Sequence, residues 1–479
     1  MIGKPLKRRA MWCGASDAGC TRESVEAFVE HAYEMGIDTL VIELKHGDGR
    51  ISWPSKRFPE AVLPQYREFD LPAELLKACN ARDMHLHAWL IDFMEGENGP
   101  AYTQHPEWAM LDRKGRPTSE EILRGRRFGA VWMCPAQRPG YTDQWLVPMI
   151  EEFAKLYAFE AIHHDYVRYP GDLAPDQYCF CDHCLANIPR FNVFASEVYT
   201  KEPFYHDLYD REYLEAHWEQ SPRVLPPNWD KLPRHIKSDF LLKGGFFQGG
   251  LNDLDYFFYT YRTHWITQFT RKAAKAVRRI RPGMEFSAAV FKNPIHSGRF
   301  IGQDWREFAP YVETCMPMDY RDHFPGTFDQ YIRLLKATIE RQKEWASDFK
   351  NLWPGFAVNF LYFEEERGLR LLREAVGAND LKIGGKALYN IGRQLNRVDA
   401  SLVESIKRWL ETSQMPEDLP RRMEAFALHI PKEYWPQEKV LAAIEAIRST
   451  GVEGITIFCA GQLEQYGAWT TAKNALNAS

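Results

Sequence analysis

One alternation runs the length of this chain. A short apolar run followed by an amphipathic segment recurs eight times across 479 residues. The runs are RRAMWCGA (8–15), IDTLVIELKHGDG (37–49), 84–93, 159–170, 284–294, 312–322, 352–361 and 451–461. Apolar stretches of this length, bounded by turn residues, read as strands buried on both faces, the pattern of a parallel sheet. The intervening segments carry helical spacing. After Thr21, residues Val25, Phe28, Val29 and Ala32 share a face that stops at Gly36. Helices are likewise predicted over 71–82, 140–157, 253–280 and 436–449. Eight strand–helix pairs describe an α/β protein with a (β/α)8 TIM barrel. The first run lacks the Gly-rich phosphate loop of a doubly wound sheet.

The surplus length lies at 93–137, 185–252 and 362–430, each after the C-terminal end of a predicted strand. In a barrel those loops build the active-site face, so residues 1–479 read as one catalytic barrel walled by insertions. A net charge of −5 argues against a nucleic-acid partner. No apolar run has the length of a membrane span. The N-terminus, MIGKPLKRRAMWCGAS, lacks the apolar stretch of a secretion signal, so the chain as given reads as cytoplasmic unless a leader has been removed. Fifteen Trp and 22 Tyr suit stacking on sugar rings.

The nine cysteines are odd in number and scattered, except for CFCDHC at 179–184, which fits reduced thiols and a metal better than disulfides. Cys179, Cys181 and Cys184 supply three soft ligands, and a tetrahedral zinc site needs a fourth. Cys134, at the end of the loop before the third helix, serves better than His183, which its own neighbours crowd. Four thiolates leave no open position for water, so the expected Zn2+ is structural. The arrangement resembles the cysteine cluster of the glycoside hydrolase family 42 β-galactosidases.

A wider resemblance rests on HPEWAMLDRKGRP (105–117), WMCPAQRPGYTDQW (132–145), AIHHDYVRYP (161–170), CFCDHC and MPMDY (316–320). Together these are similar to motifs of a superfamily of hypothetical glycosyl hydrolases built on TIM barrels. The chain departs from that pattern at Phe159-Glu160, where Asp-Gly is usual, and at the histidine pair His163-His164. The resemblance implies a glycoside hydrolase acting on an oligo- or polysaccharide, with two carboxyl groups and a retaining mechanism. By similarity to the retaining α-galactosidase clan, Asp165 on strand four is expected as nucleophile and Asp319 on strand six as acid/base. Glu43 on strand two is the next candidate for the second role.

Polar and cationic residues crowd the same predicted rim: Lys45, His46, Asp92, His163, Arg168 and Lys292. They suit hydrogen bonding to hydroxyls or an anionic sugar, while Trp89, Tyr166 and Tyr320 offer stacking faces. Two other functions fit the sequence. One is a metal-dependent, deacetylase-like hydrolase with His163, His164 and Asp165 as ligands, although adjacent strand residues face opposite ways. The other is a carbohydrate-binding barrel without catalysis.

Overall fold

The structure is a computed structural model that describes residues 6–123, 125–191, 228–243, 253–380, 391–392 and 394–478. Most of the insertion expected at 185–252, and residues 381–390 of the one at 362–430, lie outside the described residues.

The alternation folds as a closed barrel of eight parallel strands. These are β1 (Arg8–Gly14), β2 (Thr39–Lys45), β3 (His85–Ile91), β4 (Ala161–Asp165), β5 (Glu285–Phe291), β6 (Thr314–Met318), β7 (Gly355–Ala357) and β8 (Gly454–Phe458). Each pairs with its successor, and β8 returns to β1 through Arg8↔Gly454 to Trp12↔Phe458. The outer ring includes α1 (Arg22–Glu34), α2 (Leu71–Asn80), α3 (Val147–Leu156), α4 (Asp253–Ile280), α5 (Phe328–Trp345), α6 (Phe363–Ala378) and α7 (Glu438–Ser449). Helix α1 begins as its sequence dictates: Thr21 Oγ1 accepts from the Ser24 N–H at 3.1 Å and caps the first turn. No helix among the described residues is long and apolar enough to cross a membrane.

Alternation along the strands sorts the core into two layers. Ala10, Trp12, Val41, Trp89, Ile91, Ala289, Met316, Met318 and Trp353 fill the barrel interior. Met11, Leu40, Ile42, Leu90, Phe286, Cys315 and Ile457 face the helices. Two indoles inside the barrel need room. A Cβ on Gly355 would lie 2.7 Å from the Trp12 ring, and one on Gly454 would lie 2.2 Å from that of Trp353. Small residues on β7 and β8 are therefore a packing requirement.

Two strands depart from the sequence reading. The seventh, expected over 352–361, is interrupted at Pro354, which has no N–H to donate; Asn351–Leu352 and Gly355–Ala357 pair separately, and Val358–Leu361 turns helical. The second carries a β-bulge. Glu43 pairs with Trp89, but Lys45 pairs with the next residue, Leu90, so two residues of β2 oppose one step of β3. That extra residue sends Lys45 to the outer face, where alternation would have sent it inward.

Candidate active site

The C-terminal mouth of the barrel holds Asp165 at the tip of β4. Tyr166 follows with φ +51°, a left-handed conformation that ends the strand. The turn brings the Tyr166 N–H 2.6 Å from Asp165 Oδ1. Trp89 Nε1 donates to Oδ2 at 3.2 Å. The side chain is 6% exposed. Burial pushes its pKa up to about 6, against the Arg168 charge and the two hydrogen bonds, which favour the carboxylate.

Glu43 stands on the same rim. It shares its inward face with Val41, lies opposite Gly14 on β1, and lies opposite Trp89 on β3. The indole that binds Asp165 thus separates two carboxylate-bearing strands. Glu43's charge reaches Tyr166, Asp17 and Cys459, all at the ends of neighbouring strands. Asp17 accepts from the Gly14 N–H at 2.8 Å, and burial, then Glu43's charge, raise its pKa. Sequence reading missed Asp17; its signal is an acid three residues beyond the end of the first strand. Tyr320 completes the wall, half-buried, with its ring 5.7 Å from Phe458 and 5.5 Å from His323.

The other expected residues are placed differently. Asp319 does not share Asp165's pocket. With Met316 and Met318 facing inward, Asp319 falls on the outer face, where Gln342 Nε2 of α5 donates to its Oδ1 at 2.8 Å. It is fully buried, and desolvation lifts its pKa to about 8. Lys292 is beside it, its Nζ 3.4 Å from the centroid of Phe324 and donating to His323 O. Lys45, turned outward by the bulge, donates to Ile91 O at 2.6 Å and pairs with buried Glu95 at 3.2 Å. Asp92 is fully buried behind the wall, 2.8 Å from His164 Nδ1. His46 faces Ser52 Oγ at 2.6 Å and Glu43 at 3.6 Å.

His163 points into the barrel below the mouth and both its ring nitrogens are engaged. Trp12 Nε1 donates to Nε2 at 3.0 Å, so neutral His163 carries its proton on Nδ1, 2.8 Å from Ser287 Oγ. Ser287 in turn lies 2.9 Å from His87 Nδ1. Burial lowers the pKa of both histidines, that of His87 to about 4. His164 faces the opposite way, stacked at 5.1 Å on Phe286. The two histidines and Asp165 therefore do not converge on one ion.

Below the loops, the Sγ atoms of Cys134, Cys179, Cys181 and Cys184 all lie within 4.8 Å of one another, fully surrounded by protein. Cys134 is 3.6 Å from Cys184 and 3.8 Å from Cys181. Four sulfurs at metal-bond lengths of about 2.3 Å form a tetrahedron with edges of about 3.8 Å, so the donor set fits a thiophilic ion.

A buried carboxylate beside indole and phenol faces stands at the C-terminal mouth of the (β/α)8 barrel, where barrel enzymes place their active sites. The chain belongs to the family described as "Putative glycosyl hydrolase domain", whose profile matches residues 10–339. Its fold is similar to that of the PgaB (BpsB) glycoside hydrolase domain from Bordetella bronchiseptica, at 11% identity over 99% of this chain and 100% of that one, with a TM-score of 0.55. The catalytic domain of β-amylase from Paenibacillus polymyxa aligns at 12% identity over 98% and 99%, with a TM-score of 0.46. At 11% identity the likeness to the PgaB domain concerns the fold alone. No curated protein matches the chain in sequence.

Proposed function

We propose that the protein is a retaining glycoside hydrolase that uses Asp165 as nucleophile and Glu43 as acid/base, within a single barrel unit walled by its loops. The observation that carries this reading is that Asp165 accepts from the Trp89 indole while Glu43 stands opposite Trp89 on the adjacent strand, in a member of a glycosyl hydrolase family. In the first step an Asp165 oxygen bonds to the anomeric carbon as the glycosidic C–O bond breaks, and Glu43 gives its proton to the departing oxygen. In the second, water attacks the anomeric carbon, Glu43 takes its proton, and the Asp165 ester bond breaks. Trp89, Tyr166 and Tyr320 provide faces for the sugar.

The test is turnover of a panel of aryl glycosides and polysaccharides, with the pH dependence of kcat/KM. A nucleophile must be ionised, so activity should fall as pH drops through about 6. Loss of activity as pH rises through that value would instead make Asp165 the acid. Glu43→Gln should lose activity on glycosides with poor leaving groups and regain it with azide on activated ones. Asp319, outside the pocket and bonded to Gln342, should tolerate Asn with kcat/KM changed by no more than about fivefold. A loss as large as that expected for Asp165→Asn would return Asp319 to the mechanism.

The four cysteines are proposed to hold zinc as a structural ion. When bound, it would fix the loop carrying Cys134 to the one that follows β4, with no part in the bond-breaking steps.

A further inference from the structure

The terminal nitrogens of Arg168 are bonded more sparsely than those of Arg321 and Arg448, two other buried arginines. All three leave Nε without a partner, but Arg168, 5% exposed, makes only a 3.5 Å contact from Nη1 to Tyr169 O. Arg321 and Arg448 show what a structural arginine does here. Arg321 donates to Phe324 O at 3.0 Å, to Gly326 O at 2.5 Å and to Glu364 at 2.7 Å. Arg448 reaches Ala475 O at 2.7 Å and also donates to Ala478 O. Each commits its terminal nitrogens to fixed acceptors, as burial demands.

Arg168 has aromatic surfaces instead. Its guanidinium carbon lies 4.4 Å from the Tyr166 ring centroid, 5.0 Å from Phe291 and 5.3 Å from Trp132. These rings attract the cation without accepting its in-plane N–H bonds, so the donor edge stays unspent. Asp165 is near enough to feel the charge, yet its oxygens are bonded to the Tyr166 N–H and the Trp89 indole rather than to Arg168. Beside the edge stands Gly171, where a Cβ would lie 3.2 Å from Nη1 and 3.1 Å from Phe291. The absent side chain keeps open the space in front of the guanidinium. With Lys45 and Lys292 turned behind the wall, Arg168 is the cation next to Asp165 in the described mouth.

We propose that Arg168 is an anion subsite, and that the sugar held at Asp165 carries a carboxylate, as a uronic acid does. The proposal rests on the reading of this mouth as a saccharide site. A planar carboxylate matches the idle N–H edge two bonds at a time, and burial strengthens both.

The test compares p-nitrophenyl glycosides in matched pairs, each hexoside against its uronide, with calorimetric titration of free glucuronate, galacturonate, glucose, galactose and inorganic sulfate. The wild type should favour a uronide over its hexoside by about tenfold or more in kcat/KM, and Arg168→Gln should collapse that ratio to about one. Should Arg168→Gln fail to fold, Gly171→Leu, which fills the space before Nη1, should lower the same ratio. Hexosides turned over at least as well as uronides, or a ratio unmoved by both substitutions, would overturn the proposal and leave the hydrolase reading standing. If no glycoside is cleaved, the hydrolase reading fails and binding decides: uronate bound by wild type and not by Arg168→Gln supports the subsite, and uronate bound by neither overturns it. Sulfate binding more tightly than either uronate overturns the assignment to a carboxylate.

Discussion

Asp165→Asn is expected to lower glycoside turnover by about 10³-fold or more while the protein stays folded. An amide cannot form the ester with the anomeric carbon, so no covalent intermediate should accumulate with an activated substrate, and mass spectrometry of the quenched enzyme reads this directly. Stability should move the other way. The folded-state pKa of Asp165 is raised from 3.8 to about 6, so its proton is held more tightly in the folded chain than in the unfolded one. The resulting stabilisation is fully present below pH 3.8 and is lost as pH rises through about 6. Near neutrality the buried charge forgoes roughly 3 kcal/mol, an upper bound that a neutral amide recovers in part. The variant should therefore melt no lower than wild type at pH 7.5, and the gap should narrow as pH falls toward 4. A variant that is inactive because it has unfolded would remove the support for Asp165 as nucleophile.

The second large effect concerns the sulfur cluster. Protein prepared without chelator should contain about one zinc per chain, and Cys181→Ser should lower the melting temperature by about 10 °C or more. The serine takes away one of four ligands in a fully buried site, leaving three thiols packed together without a neutralising ion. Cys20→Ser, at an exposed position, is the control and should change little. Elemental analysis that finds no metal would count against the assignment. Mild chelation that abolishes turnover while leaving the melting temperature intact would make the metal catalytic.

The two effects are linked by chain connectivity. Trp132 stands two residues before Cys134, and its ring lies 5.6 Å from Tyr166, the residue after Asp165. Cys179, Cys181 and Cys184 belong to the segment that leaves β4 at Asp165. The proposed ion, bound between these two segments, would hold the aromatic surround of Asp165 and Arg168 from below. Loss of the ion should therefore show first as disorder around the mouth.

What the sequence made legible follows from periodicity. Alternation along β4 places His163 and His164 on opposite faces, and the apolar runs locate all eight strands within a few residues. What stayed hidden are the places where one residue changes the parity. Asp319 looks like a rim residue because it follows an apolar run, but Met316 and Met318 already occupy the inward positions. Asp92, one residue beyond Ile91, is turned outward in the same way. Lys45 depends on a bulge, which leaves no mark in the TLVIELK pattern. Asp17 escapes for a different reason: it belongs to a four-residue helix past the strand end, too short to carry a periodic signal.

The bulge in β2 has a chemical meaning that its geometry alone does not express. In an unbroken ladder Lys45 would be the inward residue beside Ile91, whose partner on the next strand is Asp165. An ammonium there would bind the carboxylate permanently, a resting state that no substrate could compete with cheaply. The extra residue acts as an insulator: it diverts the cation to Glu95 and leaves the anion of the mouth uncommitted.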